Sequence, residues 1–517
     1  MNVKKMRKAL TLLCCLMLLF QASVACADCS FSMADDGFST SYSYTYDFWE
    51  DVQMCPNPYR ISNVIDSMTL GLDNLGGVRL KNPQGMFVRN NDLYIADTTN
   101  NRIIQVRKDK DGYNVTRIID TIAGTDVTSI SNPYDVFVDE QDNIYIADYG
   151  NQRVVMVDKD LNFIRQFTKP SDATYDQNLD FLPKKITVDV AGRLYALVVN
   201  VNKGFCKYEA DVTFTGYVGA NHVTVDTFDY IWKRYFMTQE QRSATEAFVP
   251  TEYENLYMDN QGFIYATTTV FSEYDLKWDN AKPIRRLNGL GNDILIKNDR
   301  YPPIGDLWWV SESTPYGPSK FTDVTVLDDD VYVCLDRIRG RLFGYDGQGV
   351  LLWAFGTKGN IEGAFTSAIA LEHMGTDLLV MDQLENSITV FETTEYGQLI
   401  FDANSTYLHG EYDRSAELWN DVMKLNANYP MAFRGIGRAL MRQDKYEEAM
   451  DYFEKAHDKE NYGRAFKFYR KRWVEQNIWW IVLIIALLLI VPLAIGRVKR
   501  TKWEVIMHEQ QKVHRTE

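Results

Sequence analysis

The chain has 517 residues and a formal net charge of −15, because 70 Asp and Glu outnumber 55 Lys and Arg. This acidic balance disfavours binding to DNA or RNA, which needs a basic surface. The seven cysteines and six histidines lack the ligand spacing typical of a metal site. We therefore expect no nucleic-acid partner, no metal and no cofactor.

Residues 1–27 have the pattern of an export signal. A basic start precedes an apolar run that ends at Phe20, and small residues before Asp28 fit a cleavage site. A lipoprotein site at Cys26 is the weaker alternative. If the segment is not cleaved but stays as an anchor, its basic end lies inside and the body is still outside. Whether the segment is cleaved or stays as an anchor, the residues that follow it are predicted to be extracytoplasmic.

Segments 82–107 and 132–157 are nearly the same sequence, written 50 positions apart. Self-similarity of this period indicates a solenoid or a propeller. Apolar and polar residues alternate and break at Asn and Gly turns, which predicts short antiparallel strands. Weaker copies begin at Leu182, Glu254, Phe321 and Thr366. Six such sheets can close a ring, so the predicted fold is mainly β, a six-bladed β-propeller over residues 81–394.

The copies resemble NHL repeats. The resemblance rests on the Asn-Pro start at Asn82 and Asn132, the Tyr-Ile-Ala-Asp strand end and the Asn-x-Arg that follows it. It implies a propeller of the NHL type, a family that mostly binds proteins, RNA or small ligands and has some lyase or lactonase relatives. Residues 28–80 precede the first copy, and we expect them to complete a blade. A disulfide between Cys29 and Cys55 is an arrangement that the sequence leaves open.

Polar residues recur at fixed places in the copies. A carboxylate at a strand end can accept backbone N–H bonds from the turn and pair with an arginine on the next strand. Since this arrangement returns from copy to copy, we interpret it as scaffold rather than as a site. The set comprises Asp97, Arg102, Asp148, Arg153, Asp336, Arg341 and Asp382.

The sequence contains no nucleophile elbow, phosphate loop or histidine-rich metal motif. His222 and His373 are the histidines of the repeat region, and we interpret His222 as a solvated loop residue. Aromatic residues are concentrated in the insertions, where exposed rings would stack on sugars; filling the wedge between blades is the alternative. The ligand-binding candidates are Tyr230, Trp232, Trp278, Trp308 and Trp309.

Residues 395–475 change from strand alternation to a helical period. The segment that begins at Pro430 resembles a tetratricopeptide repeat, with small Gly437 and aromatic Phe453 at packing positions of that motif. A step back by 34 residues places Trp419 in register with Phe453. We therefore predict two such repeats, which need support from a neighbouring domain and whose groove suits a partner protein.

Residues 478–495 form an uninterrupted apolar run. At about 1.5 Å per residue the run extends roughly 27 Å, enough to cross the hydrocarbon core. Trp479, Trp480 and Trp503 flank it as an aromatic belt would. A buried core helix is rarely apolar on every face. Basic residues occur on both sides of the run, so the export signal decides the orientation, and residues 496–517 are expected to be a basic cytoplasmic tail.

Together these features predict a non-catalytic binding or scaffolding protein. It would capture a ligand or partner protein outside a single-span membrane anchor, as an accessory of a transport complex, with carbohydrate as a guess for the ligand. The alternative is a propeller enzyme of lactonase or lyase type. Carboxylates and histidines that converge at the mouth of the central channel would favour the enzyme.

Overall fold

The computed structural model describes residues 43–219, 221–222, 248–249, 252–277, 281–297, 302–307 and 317–513. Contacts divide the chain into two compact units, Met1–Phe401 and Asp402–Glu517. The strands all lie in the first unit, and the helices that follow β27 extend from its end through the second. The predicted signal of residues 1–27 and the cysteine at position 29 lie outside the described residues.

Six antiparallel sheets succeed one another in the first unit, and we call them blades 1 to 6. Three strands come before them: β1 (Ser43–Tyr46), β2 (Val52–Cys55) and β3 (Tyr59–Ile65). Blade 1 contains β4 (Gly85–Arg89), β5 (Asp92–Asp97), β6 (Arg102–Asp109) and β7 (Gly112–Ile119). Blade 2 contains β8 (Pro133–Val138), β9 (Ile144–Asp148), β10 (Arg153–Val157) and β11 (Phe163–Phe167). Blade 3 contains β12 (Pro183–Val188), β13 (Leu194–Val198), β14 (Phe205–Tyr208) and β15 (Phe214–Val218).

The later blades are less regular. A two-stranded pair, β16 (Asn221–His222) and β17 (Phe248–Val249), lies between blades 3 and 4 in the chain. Blade 4 has three strands: β18 (Asn255–Met258), β19 (Ile264–Thr267) and β20 (Ile284–Leu287). Blade 5 has β21 (Phe321–Val326), β22 (Tyr332–Asp336), β23 (Arg341–Tyr345) and β24 (Leu351–Phe355). Blade 6 has β25 (Ala368–Met374), β26 (Asp377–Asp382) and β27 (Ser387–Thr393).

The first three strands complete the last two blades. Strand β1 pairs with β24 and carries β2 on its outer side, which enlarges blade 5 to six strands. Strand β3 pairs with β27 from Tyr59↔Thr393 to Ile65↔Ile388 and becomes the fourth strand of blade 6. The first and last parts of the propeller are therefore joined within a single sheet.

The six sheets close into a ring. The innermost strand of each blade (β4, β8, β12, β18, β21 and β25) contacts the innermost strands of both neighbouring blades, including β25 of blade 6 with β4 of blade 1. Closure of the ring leaves only short, protected strand edges. The propeller therefore offers few unpaired strands to which another chain could add a strand. The predicted six-bladed β-propeller is confirmed.

The alternation of strand residues explains why the blades stack. In β5, Ile95 packs into a cluster with Met381 of blade 6, whereas its neighbour Ala96 packs with Val136 of blade 2. Successive side chains of a strand point to opposite faces, so one apolar strand supplies two interblade cores. This is why the strands of the copies are apolar at nearly every buried position.

The helical elements begin with a short α1 (Glu273–Lys277) inside blade 4. After β27 come α2 (Glu395–Leu408), α3 (Tyr412–Leu425), α4 (Pro430–Arg442), α5 (Tyr446–Lys455) and α6 (Lys459–Val513). Pro430 occupies the first turn of α4, where its missing N–H costs no hydrogen bond. A Cβ at Gly437 would lie 2.7 Å from the ring of Phe453, so the small residue permits the close packing of α4 on α5.

Helix α6 has 55 residues and contains the apolar run 478–495. Among the helices that the structure describes, it alone is long and apolar enough to cross a membrane, and the apolar window is not buried at all. Trp479 and Trp480 are 80% and 66% exposed. A lone helix with this surface is suited to lipid contact.

Candidate functional site

The repeat aspartates organise the turns of blades 1 and 2. Asp97 Oδ2 accepts hydrogen bonds from Asn100 Nδ2 at 2.8 Å and Arg102 Nε at 2.7 Å, and its Oδ1 accepts the backbone N–H of Lys81 at 2.8 Å. In blade 2, Asp148 accepts bonds of 2.8 Å from the Ser131 backbone, Asn151 and Arg153. Both carboxylates are fully buried and have their acceptor capacity used within the blade.

Blade 5 departs from this pattern. Asp336 and Arg341 face each other across β22 and β23, as the sequence predicts for a pair. The Arg341 guanidinium instead binds Asp306 and lies 3.1 Å from the Tyr44 hydroxyl, while Asp336 Oδ2 is 3.5 Å from Arg339. The predicted pair is thus replaced, because the insertion before blade 5 supplies a carboxylate that the other blades lack.

Asp382 of blade 6 accepts hydrogen bonds from backbone N–H groups and has no arginine in its repeat. No arginine follows it at the matching distance in the sequence. Its carboxylate accepts hydrogen bonds from the backbone N–H groups of Thr366, Ser367, Leu384 and Glu385. The aspartate therefore fixes the turn even where the ion pair is missing.

The predicted aromatic ligand platform cannot be placed. Its members Tyr230, Trp232, Trp278, Trp308 and Trp309 lie outside the described residues. Their role in sugar binding stays a prediction.

The innermost strands enclose a cavity of about 570 Å³ in the centre of the ring. Residues of the turns between first and second strands, such as Asn90, Gln141 and Gly262, line it. The cavity therefore opens on the face of the ring that carries these turns. Asp97 and Asp148 lie at the opposite ends of the second strands, so the repeat aspartates are remote from the opening.

Two layers of equivalent side chains surround the channel. The strand registers give the first layer as Gly85, Asp135, Lys185, Asn255, Asp323 and Ala370, in blade order. The second layer, two residues further along each strand, is Phe87, Phe137, Thr187, Tyr257, Thr325 and Glu372. All except Gly85, Thr325 and Ala370 line the cavity. Polar groups converge in one layer and aromatic rings in the other.

Two of the first-layer carboxylates tie neighbouring blades together. Asp135 Oδ2 accepts the backbone N–H of Ile186 in blade 3 at 2.9 Å, and Lys185 Nζ lies 3.6 Å from Asp135 Oδ1. Asp323 Oδ2 accepts the backbone N–H of Leu371 in blade 6 at 2.7 Å, and the Asn255 amide donates to its other oxygen. The backbone bonds fix both carboxylates in the wall of the channel.

Glu372 differs from these residues. It is 7% exposed and lines the cavity, yet no side chain among the described residues hydrogen-bonds its carboxylate. Burial, and then the neighbouring Asp323, raise its pKa well above the usual range. Burial also raises the pKa of Asp323 to about 7, an effect that Lys185 opposes. Ionisation of both carboxyl groups is thus disfavoured in the empty channel, and an approaching cation would favour it.

A histidine adjoins this group. His373 Nδ1 is 2.7 Å from Thr325 Oγ1, and the imidazole ring centroid is 6.4 Å from that of Tyr257. Burial lowers the pKa of His373 to about 4, so the imidazole is neutral at pH 7. Over the described ranges, no three or more His, Cys, Asp or Glu side chains are grouped so that they could hold a metal ion.

The mouth of the cavity is also acidic. Asp139, Asp189 and Asp259 line it, and each accepts backbone N–H bonds from its own turn. These three carboxylates therefore shape the mouth. Arg89 lines the same opening, and its buried Nε has no hydrogen-bond partner in the structure.

The sequence contains a signal for the channel residues at positions where the copies do not match. When the copies are aligned on their strand ends, the position of Asp135, Lys185 and Asp323 changes in size and charge from copy to copy. The other copies have Gly85, Asn255 and Ala370 there. Scaffold positions repeat, whereas positions that face a shared centre are free to differ. Glu372 stands where other copies have an aromatic residue or threonine, which marks it as the exception of the second layer.

Cys55, Cys206 and Cys334 are buried and form no disulfide with one another. Burial raises the pKa of Cys55 and Cys206 to about 12, so both thiols are protonated and unreactive at neutral pH.

No protein-family profile matches the chain, and no curated protein matches its sequence. Among solved structures, virginiamycin B lyase from Staphylococcus aureus is similar over 65% of this chain and 100% of its own, with 11% identity and a TM-score of 0.36. A Bacteroides thetaiotaomicron protein of unknown function matches 68% of this chain and 76% of its own, at 11% identity and a TM-score of 0.38.

The extracellular domain of a candidate one-component system from B. thetaiotaomicron is similar over 68% of this chain and 41% of its own, at 12% identity and a TM-score of 0.35. At these identities and TM-scores the similarities carry no information on function.

Proposed function

We propose that the chain is a membrane-anchored, non-catalytic binding protein that captures a small ligand in the central channel of its propeller, outside the cytoplasmic membrane. One observation carries the proposal. The channel holds a cavity of about 570 Å³ that combines buried polar side chains with aromatic rings. Small-molecule sites are typically concave, about 300–1,000 Å³ in volume, and contain a few convergent polar groups.

In this proposal the propeller is of the NHL type, and the helices form a short tetratricopeptide stack that binds a partner protein. The Arg438 guanidinium lies 4.4 Å from the centroid of the Tyr407 ring, and Arg442 Nε lies 3.4 Å from its hydroxyl. Arg438 is 7% exposed, so this contact packs α4 against α2 and stabilises the stack that would present the partner-binding surface. A membrane transport complex is the partner class that a membrane-anchored ligand receptor would serve.

The apolar run 478–495 supports the anchor, since its side chains are exposed in the folded chain. The export signal in residues 1–27 supports an outward orientation of the propeller. We therefore expect protease added to intact cells to remove the propeller and to leave the tail after Arg497 protected. Immunoblots with tags at each end of the anchor measure this. Digestion of the tail while the propeller stays intact would reverse the orientation.

The role of the channel in ligand binding can be tested by a substitution that fills part of the cavity with a larger side chain. Thr187 is 3% exposed and lines the cavity, while the equivalent positions in blades 1 and 2 are Phe87 and Phe137. Phenylalanine is thus a residue that this fold already accepts there. We expect Thr187→Phe to weaken ligand binding at least about tenfold, equivalent to about 1.4 kcal/mol. The measurement is the ligand-induced rise in Tm of the full-length protein over a panel of sugars, amines and carboxylates.

The matched control is Thr215→Phe, which makes the same change on the exposed outer strand of blade 3. It should respond to every ligand as the wild type does. Overpacking at position 187 costs stability, typically about 1–3 kcal/mol, so each Tm shift is taken relative to the variant's own ligand-free value. If Thr187→Phe keeps every ligand response, the channel is not the binding site.

One observation favours an enzyme as the second candidate. Asp323, Glu372 and His373 converge in the channel, which is the arrangement that a lyase or lactonase of this architecture would need. A neutral imidazole and protonated carboxyls are suitable as base and acid. Turnover of lactones or polyuronates by the wild type, lost in His373→Gln, would replace the binding function with this one.

A further inference from the structure

We infer that the channel selects organic cations and holds a ligand ammonium group between Glu372 and Asp323. This rests on the proposed function of the channel as a ligand site, and it specifies the chemical class of the ligand.

The first support is the imbalance of charge in the cavity wall. The cavity is lined by two cationic side chains, Arg89 and Lys185, and by seven carboxylates: Asp135, Asp139, Glu140, Asp189, Asp259, Asp323 and Glu372. The turns at the mouth engage three of these carboxylates, and Lys185 pairs with Asp135 in the interior. Lys185 also attracts Asp323 and Glu372, so three interior carboxylates share a single ammonium group.

The second support is the unfulfilled bonding capacity of Glu372. A buried carboxyl normally has hydrogen-bond partners, because an unmatched polar group is costly in a protein interior. The Glu372 carboxylate borders open space in the cavity, and apart from the backbone N–H of the adjacent His373 no group among the described residues donates a hydrogen bond to it. A ligand with N–H donors would supply the missing partners.

The third support is the aromatic wall. Phe87 and Phe137 lie with ring centroids 4.7 Å apart, and Tyr257 completes the second layer on the other side of the channel. Ring faces attract cations, so aromatic residues next to carboxylates form the type of cage that recognises ammonium groups. A neutral sugar would use the rings but would bring no positive charge to the two carboxyls.

The raised pKa values of the channel carboxyls predict a measurable consequence of cation binding, the release of protons. The groups that surround Glu372 are Asp323 on β21, Lys185 on β12, Asp135 on β8, Tyr257 on β18 and its neighbour His373 on β25. Burial raises the pKa of Asp323 to about 7, so part of the free protein carries a proton there at neutral pH. A bound cation favours the ionised carboxylate, and binding therefore releases protons.

The sign of the pH dependence follows. Affinity should rise as the pH increases through about 7, by up to about tenfold per pH unit for each proton released. Below that range the cation must compete with protons, and binding weakens. His373 is already neutral across this window, since burial lowers its pKa to about 4.

The test is calorimetric titration of the full-length protein in detergent with 1,4-diaminobutane and benzylamine. The shape-matched controls are neutral 1,4-butanediol and anionic succinate. We expect at least one amine to bind at least about tenfold more tightly than both controls, equivalent to about 1.4 kcal/mol. Titrations in phosphate and in HEPES, whose ionisation enthalpies differ and neither of which contains a primary ammonium group, should reveal proton release.

Two variants should shift amine affinity in opposite directions. Glu372→Gln keeps the size of the side chain but removes its charge, and should weaken amine binding about tenfold and reduce proton release. Lys185→Met removes the cation already present in the channel and should strengthen amine binding. The control Asp160→Asn removes one charge from an exposed turn and should change neither amine affinity nor proton release. A Tm for each variant verifies the fold.

The inference fails if neither amine binds, if the diol binds as well as the amines, or if Glu372→Gln binds like the wild type. A sugar or carboxylate whose binding is lost in Thr187→Phe would overturn the cation class and leave the channel function standing. A Thr187→Phe variant that still binds every ligand would overturn the channel function itself.

Discussion

A chain that lacks Tyr59–Ile65 will lose the single cooperative unfolding transition of the propeller. These residues form β3, the fourth strand of blade 6, and they pair with β27 along its length. Tyr59 and Ile65 are 2% and 1% exposed, and each contributes about 1.5–3 kcal/mol by burial. The deletion also exposes the edge of β27 and disconnects blade 6 from the start of the chain.

Differential scanning calorimetry of the full-length protein measures the effect, through the ratio of calorimetric to van't Hoff enthalpy. The control is deletion of Val52–Cys55, the strand β2 that lies outermost in blade 5. Blade 5 keeps its other five strands, so this control should lower Tm but preserve one transition. Similar, additive losses from both deletions would instead indicate an open array of repeats.

Asp148→Ala should destabilise the protein by about 3–5 kcal/mol, the range for removing one partner of a buried ion pair. Asp148 is fully buried, and the Arg153 side chain that it binds at 2.8 Å is 3% exposed. The variant leaves a guanidinium in the interior without its carboxylate, and the Ser131 N–H and Asn151 amide also lose their acceptor. Urea unfolding of the full-length protein measures the free-energy change.

The control is Asp92→Ala in blade 1. Asp92 binds Arg107 through two bonds of 2.8 Å, but the Arg107 side chain is 55% exposed. We expect a loss below about 1 kcal/mol, as for other surface pairs. The double variant Asp148→Ala/Arg153→Met should recover part of the larger loss, because it removes both buried charges. Equal effects of Asp148→Ala and Asp92→Ala would contradict the role of burial.

The sequence was sufficient to predict the ring, because alternation and turn residues are local and return in each copy. It indicated that residues 28–80 complete a blade, but not which blade they join. The segment Tyr59–Ile65 is not a copy of the repeat, and a strand that joins a distant sheet has no local signature. The described residues of blade 4 form three strands of four residues each, so its alternating segments are shorter than those of blades 1 and 2.

The candidate site was predicted less well than the fold. Repetition indicates scaffold, and so it directed attention to Asp97 and Asp148 rather than to residues that occur once. Glu372 and Asp323 become a site only when separate blades bring them to a common centre, and no spacing in the chain encodes that distance. Arg341 illustrates the same difficulty, since its partner Asp306 belongs to an insertion without a repeat pattern.

The position of β3 in blade 6 also determines when the protein can become protease-resistant. Arg60 Nε donates a hydrogen bond to Glu392, which lies 332 positions further along the chain. At ribosomal rates of about 5–20 residues per second, β3 waits roughly 15–65 s for its partner strand to be made. Any product that terminates before β27 keeps an unpaired strand and an open ring, so premature termination yields substrates for quality-control proteases rather than shortened, folded propellers.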